Sequence, residues 1–181
     1  MKVWNRINAR KVVLSYFYQR CFFHNLPKWD RIITEVLSVE NIFQSNAEEF
    51  EKNKKMLHEK IISELNVSDD ENCDYFVKVF FDKRDVEEID MDYVLKVGSA
   101  YEKYLEEAID SINKHTQSFS FSEMNTMNQS LFLLGYIERK VLNTPKEVLL
   151  NELIELAKRY DDEWSPKLIN WIMHKIFNNL E

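Results

Sequence analysis

Two glycines, Gly98 and Gly135, and three prolines, Pro27, Pro145 and Pro166, are all that the 181 residues contain. That scarcity decides much of what the chain can become. A phosphate-cradling loop needs several glycines close together, because only glycine lets successive backbone N–H groups crowd an anion. Neither a P-loop nor a dinucleotide-binding turn can be drawn from two isolated glycines. Sandwiches and barrels need turn residues at short, regular intervals. What remains is a set of helices joined by short polar links. Hydrophobic residues make up 45% of the sequence and aromatics 13%. That is enough apolar material for one compact all-α domain over residues 1–181.

Helix signals are strongest at the two ends. Val3, Ile7, Leu14, Phe17 and Cys21 fall on one side of a helical wheel and Val12, Tyr16 and Phe23 on another. The spacing predicts a first helix over Asn5–His24, packed on two faces and stopping before Asn25-Leu26-Pro27. Residues 26–90 form a middle segment with helices expected at 29–45, 47–65 and 69–81, the last capped by Ser68-Asp69-Asp70-Glu71. A long helix is expected from Met91 to His115. Ser120-Phe121-Ser122-Glu123 fits a capping box ahead of the apolar run that ends "SLFLLGYIE", and Thr144-Pro145-Lys146-Glu147 fits a second. Ser165-Pro166 opens a final helix carrying Leu168, Ile169, Ile172, Met173, Ile176 and Phe177.

Catalytic chemistry finds little to work with. His24, His58, His115 and His174 do not fall at metal-ligand spacing with one another or with a cysteine. Cys21 and Cys73 lie far apart among apolar residues and read as buried, reduced thiols. Carboxylate pairs such as Asp161-Asp162 are expected by chance in a chain with 31 acids. The expectation is a non-enzyme without metal or cofactor. The first residues are broken by Arg6, Arg10 and Lys11 and do not read as a secretory signal. No stretch approaches the roughly twenty apolar residues of a membrane span, so a cytoplasmic location is expected.

Charge is distributed unevenly. Residues 1–29 hold Lys2, Arg6, Arg10, Lys11, Arg20 and Lys28 and no acid, a local charge of +6 in a chain whose net charge is −7. Lys2, Arg6 and Arg10 are spaced four residues apart, so on a helix they form one slowly drifting rank. Such a rank can follow successive phosphates, each contact releasing counterions, while the acidic remainder repels nucleic acid elsewhere. It can equally pair with acids of this same chain. Arg10, beside the Val3–Ile7–Leu14 side, is open to both readings. Tyr18 reads as core or as an aromatic at the edge of a site. Trp164 and Trp171 read as edge-of-core packing or as base-stacking rings.

Several blocks resemble the NusB family of bacterial antitermination factors. At the C-terminal end these are Pro145 and Val148, Asn151-Glu152, Ile154-Glu155-Leu156-Ala157-Lys158, and Ser165, Lys167 and Asn170. On the opening helix they are Arg6, Ala9-Arg10, Val13 and Tyr18-Gln19, and "SLFLLGYIE" resembles the family's buried helix. The resemblance implies an all-α fold of two packed helical subdomains, here with residues 26–90 as an enlarged helical middle segment. It also implies no catalysis. NusB-like proteins bind the single-stranded boxA element of ribosomal RNA leader transcripts together with NusE, a small-subunit ribosomal protein. That complex helps RNA polymerase read through terminators and supports ribosomal RNA maturation. Carried over, the resemblance makes Lys2, Arg6, Arg10, Lys11, Tyr18, Lys167 and Asn170 candidate RNA contacts. Trp164 and Trp171 are candidate contacts to a protein partner. The chain departs from the pattern at several points. Arg6-Ile7-Asn8 stands where consecutive basic residues are usual and Lys11 where an acid is usual. Phe132 replaces an arginine and Trp171 a glycine. These departures give a second reading, a NusB-like protein–protein scaffold with weakened RNA binding.

Overall fold

A computed structural model describes the backbone of residues 3–41, 69–80, 89–116 and 118–180, together with Lys52 and Met56. The expected helix over 47–65 falls outside the described residues, apart from these two positions. The chain divides into two compact units, one of residues 1–19 and 68–181 and the other of residues 20–67. Within the described residues there are seven α-helices. They are α1 (Val3–Asn41), α2 (Asp69–Phe80), α3 (Met91–Gly98), α4 (Tyr101–His115), α5 (Thr126–Leu142), α6 (Lys146–Tyr160) and α7 (Ser165–Asn179). The all-α class read from the sequence holds.

Helix α5 is the centre of the first unit. Every residue from Asn128 to Glu138 is buried, and α3, α4, α6 and α7 all pack against it. A helix buried all round must satisfy its polar side chains internally. Asn128 accepts from the Ser165 hydroxyl at 2.7 Å, Gln129 donates to the Phe121 carbonyl at 2.9 Å, and Ser130 donates to the Thr126 carbonyl at 2.6 Å. At Gly135 the approach of α6 and α7 leaves no room for a side chain. A Cβ there would lie 2.5 Å from Leu153 Cδ1 and 2.7 Å from Met173 Cε.

Four local expectations are corrected. The first helix does not stop before Pro27 but runs on to Asn41. Proline removes one backbone donor, yet its fixed φ is itself helical, so it weakens the hydrogen-bond ladder without forbidding the helix. The long helix expected over 91–115 is two helices, parted at Ser99-Ala100. Gly98, at the break, lies so close to α2 that an added Cβ would sit 2.4 Å from the Cys73 sulfur. The Ser120–Glu123 capping box is formed, but it closes a short 3-10 turn over Phe121–Glu123. Asn125 caps α5 instead, accepting from the Asn128 N–H at 2.7 Å. Thr144 makes no cap for α6, because its hydroxyl is turned into the interior toward Glu138.

Candidate nucleic-acid interface

Asp90 builds one side of the site. It is the N-cap of α3, its Oδ1 accepting from the Tyr93 N–H at 3.1 Å, and its own N–H donates to the Asn5 carbonyl of α1 at 3.2 Å. Its second oxygen takes the Arg6 guanidinium, with Nε at 3.0 Å and Nη2 at 2.9 Å. The same guanidinium lies 4.7 Å from the centre of the Tyr93 ring. Arg6 is thus held between a carboxylate and an aromatic face, with 26% of its side chain accessible. A planar cation fixed in this way is oriented before any ligand arrives.

One turn further along α1, Arg10 enters the interior. It is buried, and its Nε and Nη2 reach the two oxygens of Glu138 at 3.0 and 2.8 Å. Its Nη1 donates to Glu152 of α6 at 3.1 Å. Glu138, fully buried on α5, also accepts from the Tyr93 hydroxyl at 2.5 Å and from Thr144 Oγ1 at 2.9 Å. The carboxylate therefore has four donors, which is what a buried charge requires. Burial opposes the Arg10 charge, but the hydrogen bond and charge of Glu138 outweigh it, and its pKa lies above the ordinary value. Burial raises the Tyr93 pKa well above its ordinary value, and the Glu138 charge adds to the effect. Tyr93 remains a neutral donor.

Of the residues singled out in the sequence, Lys2 lies outside the described side chains. Of the two readings of Arg10, the structure takes the ion pair with acids of the same chain, and its guanidinium is unavailable to solvent phosphate. Lys11 is half-buried, its Nζ 3.4 Å from Asn8 Oδ1. Tyr18 is at the surface, 40% exposed. On α7, Lys167 and Asn170 are exposed. Trp164 is 72% exposed with Lys167 Nζ 4.7 Å from its ring centre, and Trp171 is 48% exposed with Lys175 Nζ 3.6 Å from its ring centre. Neither tryptophan is core. Of these candidates Arg6 and Arg10 lie against the Tyr93 ring, and Lys167, Asn170 and Trp171 lie along α7 with Trp164 at its N-cap. Glu138 and Glu152, which hold Arg10, stand in blocks that resemble the family, whereas Asp90 and Tyr93 carried no sequence signal for this role. Lys175 did carry one, four residues after Trp171 and so on the same helix face. Among the described residues no cluster of three or more His, Cys, Asp or Glu is placed to hold a metal ion, and no helix is long and apolar enough to cross a membrane.

The NusB family model matches residues 8–178. The chain belongs to the NusB family. A transcription antitermination protein NusB of Clostridium botulinum is 30% identical over 116 residues, covering 64% of this chain and 78% of that protein. One from Campylobacter concisus is 37% identical over 75 residues, covering 41% and 57%. One from Finegoldia magna is 24% identical over 123 residues, covering 67% and 89%. NusB-family proteins are non-enzymatic transcription antitermination factors.

Proposed function

We propose that this NusB-family chain is an antitermination factor that binds a boxA-type element of ribosomal RNA leader transcripts together with the ribosomal protein NusE. In this role it joins RNA polymerase in the cytoplasm and supports ribosomal RNA transcription and maturation. The observation that carries the reading is the family match across 8–178 in a chain whose first 29 residues hold six basic residues and no acid. Arg6, pre-oriented by Asp90 and Tyr93, is the phosphate contact on α1, with Lys11 and Tyr18 beside it in sequence. Lys167 and Asn170 supply exposed polar contacts on α7. Arg10 serves this site as a positioning residue, by fixing Glu138 and hence the Tyr93 ring on which Arg6 lies.

The test is binding to a short boxA-like RNA and to its scrambled counterpart, with and without NusE, at several salt concentrations. Tighter binding of the boxA-like strand, enhanced by NusE and falling steeply with salt, is expected. Arg6→Ala and Lys167→Ala should each weaken binding and reduce the log–log salt slope by about one. Equal affinity for the scrambled strand, or a flat salt response, overturns the reading in favour of a protein–protein scaffold.

A further inference from the structure

Helix α7 carries no Asp or Glu in its 15 residues, although the chain as a whole holds 31. Its buried side is apolar, with Ile169, Ile172, Met173, Ile176 and Phe177 in the core. The opposite side presents Trp171, His174 and Asn178 to solvent, with Lys175 beside them. The Lys175 ammonium lies 3.6 Å from the centre of the Trp171 ring. Lys146, from the start of α6, reaches the same end of the helix and donates to Asn178 at 3.1 Å. The tryptophan at the start of α7 also has a lysine against its ring, Lys167 at 4.7 Å, but acids crowd its N-terminal side. Asp161, Asp162 and Glu163 immediately precede Trp164, and Asp162 Oδ1 accepts from the Trp164 N–H at 2.9 Å.

A large exposed indole on the surface of an acidic protein calls for an occupant. The cations around this one select its charge. An acidic peptide would answer the Lys175 charge but brings no flat ring to stack on the indole. A single nucleic-acid strand offers both phosphates and flat π-faces, and exposed aromatics flanked by lysines are how proteins hold unpaired bases. We propose that Trp171 and Lys175 form a base-stacking subsite for single-stranded RNA. The base lies against the indole and its phosphate against the lysine. The subsite rests on the RNA-binding reading above and extends it along α7, away from the acids that precede Trp164. It assigns Trp171 to RNA and not to a protein partner.

The experiment uses the full chain with two probes, the boxA-like RNA and an oligouridine of the same length. Trp171→Ala should bind both about tenfold more weakly with an unchanged salt slope, since stacking releases no counterion. Trp171→Phe should restore most of the affinity. Lys175→Ala should lower the salt slope by about one. Because Trp171 is half exposed, all three variants should melt as the parent does. Parental RNA affinity in Trp171→Ala overturns the subsite. So does a loss of NusE binding in that variant with RNA affinity intact, which would make the indole a protein contact. The two readings fail separately. If the parent does not prefer boxA-like over scrambled RNA, the boxA assignment falls. Trp171-dependent binding of oligouridine would still support the subsite, and its absence would remove both.

Discussion

Replacing Arg10 with methionine keeps most of the apolar stem and removes the guanidinium, with its charge and its N–H donors. The consequence follows from what remains around Glu138. Four donors serve its carboxylate: Arg10 Nε and Nη2, the Tyr93 hydroxyl and the Thr144 hydroxyl. In Arg10→Met two neutral hydroxyls remain, and a fully buried charge is left without its counter-ion. Removing one partner of a buried ion pair costs about 3–5 kcal/mol. At roughly 2–4 °C per kcal/mol for a chain of this size, the melting temperature should fall by on the order of 10 °C. A control separates the charge from the packing. Arg10→Met/Glu138→Gln removes the stranded charge while keeping an acceptor for both hydroxyls, and should recover half or more of the loss. Thermal and urea melts followed by circular dichroism read these changes. RNA affinity should be measured well below the melting transition, where the variant is folded, and should fall only modestly. A variant that melts as the parent does but loses RNA binding would refute the reasoning and return Arg10 to the phosphate-binding set.

Asp90→Ala removes both the α3 cap and the Arg6 ion pair, and should cost about 1–3 kcal/mol in urea melts; Asp90→Asn keeps a capping oxygen and should lose less. Gly98→Ala drives a methyl group against the Cys73 sulfur and should destabilise by about 1–3 kcal/mol. The Gly98→Ala/Cys73→Ala double variant should be more stable than the two single losses added together, as a double-mutant cycle will show. Glu107 is held below its ordinary pKa of 4.5 by its hydrogen bonds to Lys140 and Tyr136. Its contribution is complete above that value and is lost as pH falls through the lower, folded-state value. Glu107→Gln should therefore flatten the acid side of the stability profile, by less than about 1 kcal/mol because the carboxylate is half exposed. A parental acid limb in that variant would show that Glu107 contributes nothing there.

Periodicity and punctuation made the helices legible. Asp69–Phe80, Lys146–Tyr160 and Ser165–Asn179 form close to where the apolar spacing and the cap residues put them, because 3.6-residue repetition is a local property. Pro27 does not end α1, because proline imposes a local penalty and not a prohibition. The break at Ser99-Ala100 is only faintly marked. Gly98 is the one local hint of it in 91–115, and its close approach to Cys73 of another helix is not visible along the chain.

The family, too, was readable from short blocks of sequence, since each block keeps its residue types at fixed local spacing. The site was readable only as a set of residue types. Lys2, Arg6 and Arg10 form one rank along the chain, with Arg10 set beside an apolar side. Yet Arg6 stops at Asp90 near the surface, while Arg10 meets Glu138 and Glu152, 128 and 142 residues away. Exposure of Trp164 and Trp171 was likewise settled by where the core ended. Sequence determined which segments are helical and which charges the chain owns. Tertiary structure alone decided which of those charges are neutralised inside and which face water, because desolvation and pairing depend on neighbours brought from distant parts of the chain.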